Sequence, residues 1–189
     1  MTSAEPHEGA ELRAEARPER RTIGPEPLTV EIVPNERMRE QIGTLRTAGA
    51  DARTLRLEVG GVTSEWNLDV GVRVFLNLPE ADASTSTDDP HYVTTFTFFE
   101  HKRGEHGAHA EEDDHMHQGA HEHDEDAPQT FYANLTPTIQ DLHAAGFYRE
   151  GEPLRTTLVT VPIAQDRESK DEFADRTFPF TGVAVSLQE

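Results

Sequence analysis

The chain has 189 residues and a formal net charge of -19, with 34% hydrophobic residues and no cysteine. That length suits one domain. So acidic a surface repels phosphate backbones and anionic lipid, which argues against nucleic-acid and membrane partners, and the lack of cysteine excludes disulfides, thiolate metal sites and cysteine nucleophiles.

Apolar residues are unevenly spread. The first ~25 residues and the stretch Glu100–Pro128 hold almost none of large size, while the remainder has the composition of an ordinary domain able to bury a core. Apart from Lys102 and Lys170, every basic residue other than histidine is arginine. No apolar run approaches the ~18–20 residues of a membrane-spanning helix. The pair Arg20-Arg21 is followed by Thr-Ile-Gly-Pro-Glu-Pro, which is no apolar export core. The reading is therefore a cytoplasmic chain, exported only if a partner carries it.

Residues 1–27 mix Glu, Arg, Ala and Pro without periodicity, which predicts a disordered charged tail. Residues 28–189 then form the domain. Leu28–Val33 alternates in period two and reads as a strand ended by Pro34. Asn35 is an N-cap for a helix over Glu36–Ala48 that stops at Gly49, with Met38, Ile42 and Leu45 on its buried stripe. Thr54–Val59 alternates again. Gly60-Gly61 reads as a hairpin turn, with Val62–Trp66 as the returning strand. Val72–Leu78 is the next strand, Glu80–Pro90 a polar loop, and His91–Phe99 a strand rich in aromatic and β-branched residues.

Thr130–Leu135 is a further strand. Thr136 reads as the cap of a short helix with Pro137 in its first turn and Ile139, Leu142 and His143 on one face, ended by Gly146. Arg155–Val161 and Arg176–Leu187 supply the last strands, with Gln165–Asp175 as a charged loop. Seven or eight short strands, two short helices and no β-α-β alternation predict a mainly β fold, an antiparallel β-sandwich or open barrel.

The chemistry-bearing residues cluster in the 100–128 insertion, which the sequence reading treats as a long disordered His-rich loop. His101, His106, His109, His115, His117, His121 and His123 are interleaved with nine carboxylates between Glu105 and Asp126. Imidazole and carboxylate suit copper(II), zinc and nickel, and the Met116 thioether adds a ligand for copper(I). The pairs His115-x-His117 and His121-x-His123 place both rings on one side of an extended segment. Such composition indicates weak, adaptable metal binding, because a catalytic metal needs ligands held by supporting contacts. Three readings stand side by side: a metal-gathering loop, a solvated spacer with incidental affinity, and a segment whose charge changes near the ordinary histidine pKa of about 6.5.

Outside the insertion, Asp88, Asp89 and His91 admit an acid–base reading, but a turn cap into the following strand is the simpler one. His143 is a helix histidine of structural type, and Asp69 and Asp141 have no evident partners. No phosphate-binding loop, nucleophile elbow or His-Glu-x-x-His helix is present, so no catalytic residues are assigned.

Four stretches together carry a resemblance: Val72–Glu80, Asp88–Phe99, Leu135–Phe147 and Leu158–Pro162. Across residues 54–187 the chain resembles the β-sandwich domain that follows the dicopper domain in bacterial tyrosinase-like (polyphenol oxidase) proteins. In that family a histidine- and glycine-rich loop often follows the aromatic strand, as here after Phe99. The copper-binding helical bundle and its histidine spacing are missing. The resemblance thus implies a non-catalytic accessory or regulatory subunit of a type-3 copper oxidase, covering the copper-site entrance of a partner chain and assisting copper loading. The alternative is an independent metal-binding or buffering protein on a β-sandwich scaffold.

Overall fold

A computed structural model describes residues 12–20, 22–45, 53–63, 70–98, 128–149, 151–163 and 177–188. Ten strands and two helices run in the order β1 (Leu12–Ala16), β2 (Thr22–Ile23), β3 (Leu28–Ile32), α1 (Glu36–Thr44), β4 (Thr54–Val62), β5 (Val70–Leu76), β6 (Tyr92–Thr97), β7 (Gln129–Asn134), α2 (Thr136–Ala144), β8 (Leu154–Pro162), β9 (Phe178–Pro179) and β10 (Gly182–Gln188). They form two four-stranded antiparallel sheets, β1-β10-β4-β7 and β3-β8-β5-β6, with a small β2-β9 ribbon. The predicted antiparallel sandwich is the observed fold.

Period-two alternation explains the pairing. In the first sheet Val183, Val185 and Leu187 of β10 lie opposite Val59, Leu57 and Leu55 of β4, and all six are buried. They meet Val30, Val72, Val74 and Leu158 of the second sheet in one core. The second sheet is buried on its outer face too. There Phe75, Val159 and Val161 pack beneath Ala81, Leu78 and Tyr92, which accounts for the unbroken burial of β8 from Thr156 to Val161.

Three expectations are corrected. First, the tail predicted over 1–27 contains β1 and β2. Its Arg/Glu composition hides β1, because the partly buried side chains are only Leu12, Ala14 and Ala16, and the charges between them face outward. Second, Gly60-Gly61 is no hairpin turn. β4 runs through it, and the register against β7 shifts between Val59 and Val62, a β-bulge. Gly61 has φ +63°, and a Cβ there would stand 2.4 Å from Thr181 Cγ2. The bulge seats the β9–β10 corner, where Thr181 Oγ1 donates to the Gly60 carbonyl at 2.8 Å. Of the predicted returning strand, residues 64–66 lie outside the described residues. Third, Leu135, not Thr136, occupies the N-cap of α2. The Thr136 hydroxyl instead accepts from Leu55 N at 2.8 Å, and Asn134 Oδ1 accepts from Thr136 N at 2.9 Å. The α1 cap is as read: Asn35 Oδ1 accepts from Met38 N at 2.8 Å.

β1 is fastened by a bidentate pair. Arg13 Nη1 and Nη2 donate to Glu58 Oε2 and Oε1 at 2.8 and 2.9 Å. Arg13 lies opposite Ser186 and Glu58 opposite Ala184, so the pair spans β10 diagonally. The small side chains beneath it leave room; Ala184 is 3% and Ser186 2% exposed. The hydrogen bond from Arg13 holds the Glu58 carboxyl below its ordinary 4.5; burial opposes this, and the charges of Arg13 and Arg56 add to the lowering. A carboxylate lowered in the folded state stabilises above its unfolded pKa and loses that contribution as pH falls through the folded value. The pair is partly exposed, Arg13 at 38% and Glu58 at 19% of the side chain, so solvent still screens it and at about pH 7 Glu58→Gln should lower stability by no more than about 1 kcal/mol. Urea unfolding should show this difference vanishing once the pH is well below 4.5.

Candidate functional site at the base of the histidine-rich insertion

The insertion joins β6 to β7. These are edge strands of different sheets, brought side by side where the sandwich closes. Alternation along Phe96-Thr97-Phe98 turns both phenyl rings inward, where they are buried. Phe131 comes from β7 and Phe178 from β9. The rings form a clasp: Phe96 stacks on Phe131 at 4.9 Å, Phe98 meets Phe131 edge-on at 5.3 Å, and Phe98 stacks on Phe178 at 4.9 Å with 8° between planes. Offset stacks and edge contacts of this kind add stabilisation beyond area burial. The chain therefore departs after Phe98 and returns at Pro128 from one aromatic base.

The eight predicted metal ligands, His101, His106, His109, His115, Met116, His117, His121 and His123, all lie outside the described residues. Among the described residues no group of three or more His, Asp or Glu side chains is placed to hold a metal ion.

At the β5–β6 connection the polar residues serve local structure. Asp82 Oδ1 accepts from the amide and hydroxyl of Ser84 at 2.8 and 2.6 Å. The Ser84 hydroxyl first, with the Ser84 amide and Thr85 beside it, holds the Asp82 carboxyl below its ordinary range. Arg73 Nη1 donates to the Thr85 carbonyl at 2.9 Å and pins the loop across β5. Asp89 Oδ1 accepts from His91 N at 2.9 Å, so Asp89 caps the turn into β6, as the simpler sequence reading held. The His91 ring is buried with Nδ1 2.7 Å from the Leu76 carbonyl. A carbonyl only accepts, so this bond places the proton on Nδ1. Phe147, 58% exposed, lies 5.4 Å from the His91 ring. A Schellman turn sets it there: Gly146 has φ +79°, Gly146 N donates to His143 O at 3.1 Å, and Phe147 N donates to Leu142 O at 2.8 Å. His143 is half-buried and Asp141 exposed on α2, while Asp69 lies outside the described residues.

Sequence reading did not pair Phe98 with Phe131 or Phe178. The signal was present in the inward alternation of Phe96 and Phe98, but the partners are about 33 and 80 residues away in sequence, and register alone brings them together.

The family profile for the C-terminal domain of chloroplastic polyphenol oxidase matches residues 43–162. The chain belongs to this family. Among solved structures, "Latent aurone synthase (polyphenol oxidase) from natural source" is similar with 15% identity and a TM-score of 0.42, over 87% of this chain and 25% of that one. "Recombinantly expressed latent aurone synthase (polyphenol oxidase)" is similar with 12% identity and a TM-score of 0.45, over 97% of this chain and 29% of that one. The chain thus spans little more than a quarter of the length of these structures. Comparison with curated proteins gives no match.

The clasp generates a prediction. Phe98→Ala should lower stability by about 3–5 kcal/mol in urea unfolding, whereas Gln129→Ala, on the exposed flank of the same base, should stay within about 0.5 kcal/mol of the parent.

Proposed function

We propose that this chain is a non-catalytic accessory domain of a tyrosinase-like dicopper oxidase. In this reading it covers the copper-site entrance of a catalytic domain, and its insertion gathers copper for that site. The observation that carries the reading is the family match over residues 43–162, which concerns a C-terminal domain and not the dicopper domain. The donor chemistry of the insertion supports the second half: seven imidazoles, the Met116 thioether and nine carboxylates suit both oxidation states of copper. Clustered carboxylates raise the local concentration of cations around the histidines. The aromatic clasp holds the two flanks of the insertion together, with Phe98 against Phe131. Copper supplies the oxidase with its redox chemistry; this chain's part is to bind, shield and concentrate.

Purification of the tagged chain from its native host tests the reading. A dicopper oxidase should accompany it in fixed ratio. Replacing the seven insertion histidines by glutamine should leave that association intact and weaken copper binding on the order of 10–100-fold, read by calorimetric titration. A chain that emerges alone yet holds copper through the same histidines contradicts the accessory role and makes independent metal buffering the better account.

A further inference from the structure

The end of the sandwich away from the insertion carries an exposed aromatic ring held in a fixed place. There the last residues of β5 meet the first of β8 and of β6. His91, one residue before β6, lies against the Phe147 ring and sets it at this end. The insertion departs from the other end of β6, about 20 Å away for a six-residue strand at ~3.3 Å per residue.

Ala144, Ala145, Gly146 and Phe147 are four consecutive exposed residues without charge, in a chain of net charge -19. Phe147 is 58% exposed, whereas Tyr148 next to it is 5%. The turn leaves this tip little freedom. Phe147 N and Tyr148 N both donate to the Leu142 carbonyl, at 2.8 and 3.2 Å, and the buried Tyr148 anchors the chain behind the ring. A ring already held in place loses little conformational freedom on binding, and aromatic residues are enriched in the cores of protein interfaces.

The His91 ring adds a polar point beside Phe147. Its Nδ1 donates to the Leu76 carbonyl, which leaves a lone pair on Nε2. Among the described residues Nε2 makes no hydrogen bond, yet it is not one of the side-chain atoms sealed from solvent without a partner. An acceptor of fixed direction thus stands next to a fixed apolar ring.

We propose that Phe147 and His91 Nε2 form the two-point contact through which this chain docks on the catalytic domain of its oxidase. The Phe147 ring enters an apolar pocket on that domain, and an N–H or O–H group at the rim of the pocket donates to Nε2. This rests on the accessory-domain reading: the family match is to a C-terminal domain, one part of a larger oxidase, so the occupant is the remainder of that oxidase. A second copy of this chain fits less well, because two bodies of charge -19 repel each other. The contact leaves the flanks of the insertion, Phe98 and Phe131, at the far end.

Calorimetric titration of the full chain against the dicopper oxidase that accompanies it tests this. Phe147→Ala should weaken binding about 30-fold. His91→Asn keeps an N–H for the Leu76 carbonyl but removes Nε2, and should weaken it about tenfold. Ile163→Ser, at a side chain 42% exposed just beyond the end of β8 nearest the insertion, should bind as the parent does. Thermal midpoints of Phe147→Ala and Ile163→Ser should stay within about 2–4 °C of the parent's, and copper binding should match the parent's in all three variants. Undiminished oxidase binding by Phe147→Ala overturns the docking surface and leaves the accessory-domain reading standing. The same holds if sedimentation shows the parent self-associating and Phe147→Ala not, with oxidase binding unchanged, since the surface is then a contact between copies. An oxidase that accompanies neither parent nor variants overturns both.

Discussion

The contact on which the whole structure depends is the apolar seam between the two sheets. On one side lie the paired rows Val183/Val59, Val185/Leu57 and Leu187/Leu55. On the other lie Val72, Val74, Leu154 and Leu158, all buried. Each sheet has a second reason to stay in register: a slip of one residue would turn its whole apolar row outward. Strands adjacent in space are mostly distant in sequence, as with β10 on β4 and β3 on β8. The seam is therefore built from pairings of high sequence separation, whose loop-closure entropy the buried rows offset. Met38 and Ile42 of α1, and Ile139 and Leu142 of α2, add their buried stripes to that same core.

The insertion is compatible with this core because its ends meet there. Closing a longer loop adds only about 0.6 kcal/mol per doubling of length. The Phe96–Phe131 and Phe98–Phe178 stacks hold the two ends. A stretch almost without large apolar side chains can thus be hung on the sandwich without drawing on its packing. The polar residues beside it divide in the same way. Asp82, Asp89, Arg73 and His91 are engaged with turn amides and main-chain carbonyls, which fixes the β5–β6 connection. The chemistry-bearing side chains are gathered in the insertion instead.

Much of this architecture was legible in the sequence, because burial against one sheet face imposes a period of two. β3 and β6 fall within segments read as strands, β4, β5, β7, β8 and β10 overlap such segments with shifted ends, and the Asn35 cap was read from its residue type. Illegible features were those in which two structures share one signal. Gly60-Gly61 marks a hairpin as readily as a bulge, and only the packing of Thr181 against the bulge decides between them. In β1 the inward residues are Leu12, Ala14 and Ala16, too small a set to stand out among Arg and Glu. Thr136 has the chemistry of a cap, yet its hydroxyl is taken by Leu55 N from a strand about 80 residues earlier. For the candidate site the donor types were plain from composition. Composition carries no geometry, and the residues predicted as ligands lie outside the described part of the chain.

Fold and candidate ligand residues thus occupy separate parts of one chain: a sandwich that holds itself together through the inter-sheet seam, and an insertion whose flanks meet on an aromatic base. The most direct test replaces residues 101–127 with a short Gly-Ser linker and follows thermal unfolding of both proteins. The account predicts a single cooperative transition, with a midpoint within a few degrees of the parent's, since the shortened loop changes stability by only about 1 kcal/mol. Loss of the cooperative transition would contradict it, by showing that the core needs the insertion in order to fold.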